Sequence, residues 1–201
     1  MGRKSLICFV EAAVLAVATN FGSAQVNESL QSELLQMLET DQAGRARIRA
    51  AGDEHGFDSP DVEALWETQR KLDEQNVHRL KELIAAHGWP GESLVGAEGA
   101  RAAFLIQQHA DHATHVEYLS LVKNAVESGE LGGQALALLQ DRILIAEGKK
   151  QIYGTQLRRN ETTGELELLP IEDEANVDAR HAELGMRPLA EYVRMVRGES
   201  D

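Results

Sequence analysis

Apolar residues recur every third or fourth position through most of this chain, and that spacing commits it to helices that each bury one stripe. The first stripe is Leu30, Leu34, Met37 and Leu38, with Asn27 or Ser29 as its cap and an end in the Gly52 region. Ser59-Pro60 starts a second, long helix whose stripe holds Val62, Leu65, Trp66, Leu72, Leu80, Leu83 and Ile84, and Gly88 stops it. Trp89-Pro90-Gly91 then forces a turn. A third helix runs from Ala97 to about His109 and a fourth from about Thr114 to Ser128, with Asp111 or Thr114 able to cap the restart. Residues 134–146 are apolar nearly all round apart from Asp141 and Arg142, which predicts a central helix.

Past Gly148 the pattern changes. Residues 151–158, the run Asn160-Glu161-Thr162-Thr163-Gly164 and residues 165–169 read as a β-hairpin, ended by Pro170. Two terminal helices follow, about Asn176–Leu184 and Pro188–Val196, separated by Gly185. The fold class expected is therefore mainly α, a compact multi-helix domain with one β-hairpin in its C-terminal half.

A length of 201 residues fits one domain, at about 150 residues each. With 43% hydrophobic and 26% charged residues the chain is neither a disordered tail nor a polytopic membrane protein. Its net charge of −13 opposes a phosphate backbone, so nucleic acid is not an expected partner. Residues 1–24 have the marks of a secretory signal: Arg3 and Lys4, an apolar run from Leu6 to Phe21, then Gly22-Ser23-Ala24 before cleavage ahead of Gln25. Glu11 sits inside that run, and a carboxylate in mid-span costs about 2.5–3.5 kcal/mol, which argues against a permanent membrane span. The expected product is a secreted or periplasmic acidic domain over residues 25–201. Cys8, the single cysteine, falls in the segment expected to be removed, so the mature chain has no thiol for a disulfide, a thiolate metal site or a nucleophile.

The informative feature is where apolar stripes run on into polar residues, because burying an unpaired polar group costs about 1–3 kcal/mol. The row Leu34, Met37, Leu38 continues to Asp41 and Arg45, and Trp66 and Leu72 share a face with Asp73 and Asn76. Leu105 is followed by Gln108, His109 and His112, Asp141 and Arg142 punctuate the central helix, and the hairpin adds Gln151, Tyr153, Thr155 and Gln156. Singly, each is explained by a capped helix end or a satisfied core group; together they suggest a shared polar pocket. His109, His112 and His115 have H-x-x-H-x-x-H spacing, but the third is rotated a further 60° or so on a helix and no second ligand motif completes a zinc shell, so no metal is assigned. P-loop, G-x-G-x-x-G, G-x-S-x-G and CxxC patterns are missing, and no organic cofactor is expected.

Several motifs occur together: Met37-x3-Asp41-Gln42-x2-Arg45, Gly88-Trp89-Pro90, Gln108-His109-Ala110-Asp111, Asp141-Arg142, Gly148-x2-Gln151-x-Tyr153-Gly154-Thr155-Gln156, Pro170-Ile171-Glu172-Asp173 and Pro188-Leu189-x-Glu191-Tyr192. As a set they resemble the uncharacterised bacterial domain-of-unknown-function family 6624 over nearly all of residues 25–201. The resemblance implies a bacterial source and points to His109, Asp111, Arg142, Gln151, Tyr153 and Gln156, without supplying an activity. It does not extend to His112 or His115, and at His181 the family pattern resembles a second arginine after Arg180.

Two functional readings follow. In the first, an exported protein holds a small polar ligand in a pocket, with His109, Asp111 and Tyr153 as acid–base residues and Asp41, Arg45, Gln108, Arg142, Gln151 and Gln156 as ligand-binding residues. Its chemistry would be hydrolysis or proton transfer. In the second, the chain is a non-catalytic binding or interaction module whose polar residues form an internal stabilising network. An open cavity reached by His109, Tyr153 and Arg142 favours the first, and mutual saturation away from solvent favours the second. No residue pattern encodes an oligomeric state.

Overall fold

The structure, a computed structural model, describes residues 26–160 and 165–199. The expected signal segment and the turn at 161–164 lie outside the described residues. Seven α-helices and one short two-stranded sheet are described, so the chain is mainly α with a hairpin in its C-terminal half, as the periodicity predicts.

Helices α1 (Glu28–His55) and α2 (Pro60–His87) form a long hairpin. Asn27 Oδ1 accepts from the Leu30 N–H to cap α1, and Ser59 Oγ accepts from the Val62 N–H to cap α2 with Pro60 in its first turn. Gly88 closes α2 with a φ of 77°, the left-handed region where a side chain would be strained. The two helices face each other through rows with heptad-like spacing. On α1 the row is Leu30, Leu34, Met37, Asp41, Gly44 and Ile48; on α2 it is Val62, Trp66, Gln69, Asp73, Asn76, Leu80 and Leu83. Both rows are apolar at their ends and polar in the middle. Gly44 leaves the space occupied by the Gln69 amide, and Gly52 lies under the Phe57 ring that folds back across the α1–α2 turn.

Helix α3 (Glu92–Gln107) begins earlier than the expected Ala97 because its first turn is joined across a break at Gly96, φ 69°. No side chain at Gly91 caps it. Glu130, from the loop before α5, supplies that acceptor: its Oε2 takes the Ser93 N–H at 2.7 Å and its carbonyl takes the Glu92 N–H at 3.0 Å. Helix α4 (His112–Glu127) is capped by Asp111, whose Oδ1 accepts from the Thr114 N–H at 2.8 Å. Helix α5 (Gly133–Ala146) packs against α4 and contributes Leu136, Leu139 and Ile143 to a core shared with Leu34, Leu80, Val95, Phe104, Ile106 and Val122.

Strands β1 (Leu157–Arg159) and β2 (Leu166–Leu168) pair antiparallel, with Leu157 opposite Leu168. The sheet is shorter than the expected hairpin because residues 151–156 leave the ladder and turn around a carboxylate from α5. Gln151 makes a parallel bridge to Ile171 there. A 3-10 turn (Glu174–Asn176), α6 (Val177–Glu183) and α7 (Leu189–Arg197) complete the fold, within a residue of their expected limits at both ends.

Candidate functional site

Two buried carboxylates organise the polar residues, and they do so differently. Asp141 is fully buried on α5. Its Oδ1 accepts from the backbone N–H of Ile152 at 2.7 Å and of Tyr153 at 3.0 Å, and its Oδ2 from the Thr155 N–H at 2.9 Å and hydroxyl at 2.8 Å. The segment 152–155 is thus wrapped around one side chain, and Gly154, φ 74°, makes the bend against Ile171 and Leu189. Gln151, also fully buried, donates to the carbonyls of Gln156 at 3.1 Å and Leu169 at 2.6 Å while its Oε1 accepts from the Gln156 N–H at 2.8 Å. Gln156 Nε2 donates to Thr155 Oγ1 and to the Leu138 carbonyl. These side chains fasten the loop to α5 and the sheet.

Arg180 and His181 on α6 hold the same loop from outside. The Arg180 guanidinium donates to the Ile152 carbonyl, and the two ring nitrogens of the fully buried His181 face the carbonyls of Arg187 and Tyr153. His181 is therefore a bridge between the loop and the α6–α7 turn. Tyr153 is half-buried beside this bridge, and burial with the nearby Asp141 carboxylate raises its phenol above the usual value.

Asp41 is the second carboxylate, 1% exposed in the middle of the α1–α2 seam. It accepts from Arg45 Nε at 3.1 Å, Gln69 Nε2 at 3.0 Å and Gln42 Nε2 at 2.7 Å. Arg45 Nη2 extends to Asp73 Oδ1 at 2.8 Å, and Gln69 Nε2 also reaches that oxygen at 2.9 Å. Gln69 escaped the sequence reading, although its place in the α2 row between Trp66 and Asp73 was the signal that marks it.

His109, at the turn between α3 and α4, meets this network from the far side. Its Nε2 lies 3.5 Å from Asp41 Oδ2, and the ring is 26% exposed. Burial and the Arg45 charge hold its imidazole below the ordinary histidine value, so it is the neutral base at pH 7. It looks into an open groove of about 450 Å³ between α2 and the α3–α4 turn, shared with Arg70, Asp73, Lys81, Asp111 and Thr114. Asp111 stands at the rim with its carboxylate engaged by Thr114, so the acid next to His109 is Asp41.

Behind His109, Arg142 on α5 donates from Nε to Gln108 Oε1 at 3.0 Å, and Gln108 Nε2 donates to Gln107 Oε1 at 3.2 Å. His115 Nε2 sits 3.2 Å from the Gln107 carbonyl, and burial and the Arg142 charge lower its affinity for a proton. His112 faces Glu147 at 4.0 Å. The three histidines of the H-x-x-H-x-x-H run thus enter three surroundings, and among the described residues no three His, Cys, Asp or Glu side chains converge on one point.

A model of a family of unknown function, DUF6624, matches residues 28–200. The chain belongs to that family. No curated protein and no solved structure matches it. For this family member the structure brings together Asp41, Arg45 and His109, and joins Gln108 to Arg142 close by; Tyr153, Gln151 and Gln156 belong to the separate Asp141 loop and do not line the groove. Among the described residues no helix is long and apolar enough to cross a membrane.

Proposed function

We propose that the groove beside His109 takes a small polar ligand and that His109 acts there as a general base, in hydrolysis or proton transfer. The observation that carries this reading is the neutral His109 ring opening on the groove with Asp41 3.5 Å behind it. A proton resting on Nε2 and directed at Asp41 leaves Nδ1 with its lone pair free to accept a proton from a ligand or a water. The imidazolium so formed gains from the Asp41 and Asp73 charges, both of which favour the protonated ring. Arg45, held between Asp41 and Asp73, offsets their charge so that the base stays neutral until it reacts. Export belongs to the same proposal: residues 1–24 carry the marks of a cleaved signal, and mass spectrometry of the protein from a periplasmic or culture fraction would find Gln25 at its N-terminus.

The test is a thermal-shift panel of metabolites, cell-wall fragments and divalent metals on wild type and His109→Ala. A compound that raises the melting temperature of wild type and not of the variant, with the unliganded stabilities alike, supports the groove. A second reading, in which the seam is only a stabilising polar layer, draws on the saturation of Asp41 by four neighbours. A panel without a hit, together with a loss of several kcal/mol in His109→Ala, establishes that reading instead.

A further inference from the structure

A second cleft, of about 370 Å³, opens between α3 and α5 and shares no residue with the groove beside His109. Phe104 and Leu105 from α3 and Leu131 and Leu138 from the α5 side form its walls, and the small side chains of Ala97 and Ala135 keep those walls apart. Gly132 leaves the space clear, since a Cβ built there meets no atom within 4 Å. Glu130 pins one end: its carbonyl and its carboxylate hold the first turn of α3 to the loop before α5. Leu105 and Leu138 stay half-buried and Ala97 exposed, so the cleft leaves apolar surface to water in a volume that suits a small molecule. A protein interface would continue that apolar surface beyond the rim. Here none of the exposed large apolar side chains, Phe57, Val116, Met195 and Val196, lines the cleft, and its exposed rim is Glu92, Arg101 and Gln134.

The two charges at that rim differ in their local roles. Glu92 stands in the first turn of α3, where the start of a helix favours a carboxylate. Arg101 lies more than two turns further along α3 and has no carboxylate partner among the described residues, in a chain with 33 acidic residues against 20 Lys and Arg. We propose that the cleft binds a small amphiphile, an acyl chain carrying a carboxylate, with the chain between the leucines and Phe104 and the head group on the Arg101 guanidinium. The planar guanidinium matches the two carboxylate oxygens, and burial of the chain supplies an affinity that grows with its length. This site is separate from the groove beside His109 and does not depend on what that groove binds.

The experiment titrates butanoate, octanoate and octanol into the full chain by calorimetry, with melting temperature as a second reading. Octanoate is expected to bind more tightly than butanoate, by about two- to fourfold for each added methylene that the cleft covers. It also binds more tightly than octanol, which has the chain without the charge. Arg101→Gln lowers the affinity for octanoate about tenfold, to the level of octanol, and leaves octanol binding as it was. Ala97→Trp fills the cleft from an exposed position on its wall and abolishes the binding of both, with the melting temperature of the free protein unchanged. His109→Ala binds octanoate as wild type does. No saturable binding of octanoate, binding that survives Ala97→Trp, or equal affinity for octanoate and octanol overturns the proposal. A loss of octanoate binding in His109→Ala assigns the acid to the groove and overturns it too. So does light scattering that shows a dimer broken by Ala97→Trp with no octanoate bound, which gives the cleft to a second copy of the chain.

Discussion

Replacing Asp141 by asparagine changes one atom and tests whether the Asp141 loop is architecture. Four donors converge on the two carboxylate oxygens, three of them backbone N–H groups and one the Thr155 hydroxyl, all at 2.7–3.0 Å and away from solvent. An asparagine keeps one oxygen and turns an amide NH2 toward the donors of the other. The Thr155 hydroxyl can reverse and accept from that amide, but at least one backbone N–H loses its acceptor, at about 1–3 kcal/mol. The three remaining bonds become neutral ones, each weaker by about 1 kcal/mol. The sum is about 4–6 kcal/mol, a large part of the roughly 5–15 kcal/mol that holds a domain folded. Urea unfolding reads it directly, and the melting temperature falls by roughly 8–24 °C at the sensitivity of a domain this size. Hydrogen exchange at Ile152, Tyr153 and Thr155 accelerates in the variant. Asp111→Asn is the control, because asparagine caps a helix as well as aspartate does and that site faces water, so it changes stability by no more than a few tenths of a kcal/mol. A cost below about 1 kcal/mol for Asp141→Asn refutes the argument, since it means that the loop does not depend on the charge.

Gly44→Ala places a methyl group on the Gln69 Oε1 in the α1–α2 seam, and Gln69 is held by Asp41 and Asp73. The substitution is expected to cost about 1–3 kcal/mol in chemical unfolding although alanine is the better helix former, and a gain in stability contradicts the packing described. Gln151→Leu keeps the volume and removes three hydrogen bonds, leaving the carbonyl of Leu169 and the N–H of Gln156 unmatched; a loss of about 2–4 kcal/mol with unaltered binding at the groove is expected. Stability also responds to pH through His109 and His115. Both have folded-state proton affinities below the ordinary 6.5, so the unfolded chain binds protons first as pH falls past that value and the native state is progressively disfavoured. Unfolding free energy therefore declines with falling pH below about 6.5, and the slope is shallower in a His109→Asn, His115→Asn double variant.

The helices and most of their limits were legible in the residues themselves. Ser59-Pro60, Gly88, Asp111 and Gly185 act on their own neighbours through caps and backbone freedom, and the apolar stripes have a period that local geometry sets. The same stripes marked Asp41, Asp73, Gln108 and Asp141 as polar groups in apolar places, and the structure buries or half-buries all four. What each of them does was not legible. Asp41 and Asp141 are both buried aspartates in helical rows. Antiparallel pairing of α1 and α2 brings Gln69 and Asp73 to Asp41 and its Arg45, and the return of the chain after α5 wraps backbone N–H groups around Asp141. The cap of α3 comes from Glu130, far along the chain, for a helix that lacks one of its own. The sequence alone marked Asp41, Gln108 and Asp141 as polar groups in apolar places, because periodicity is local, and passed over Gln69, Gln107 and His181. Only the tertiary structure decided which partners each of them found, because the compensation of a buried charge depends on distances between segments that are remote in sequence.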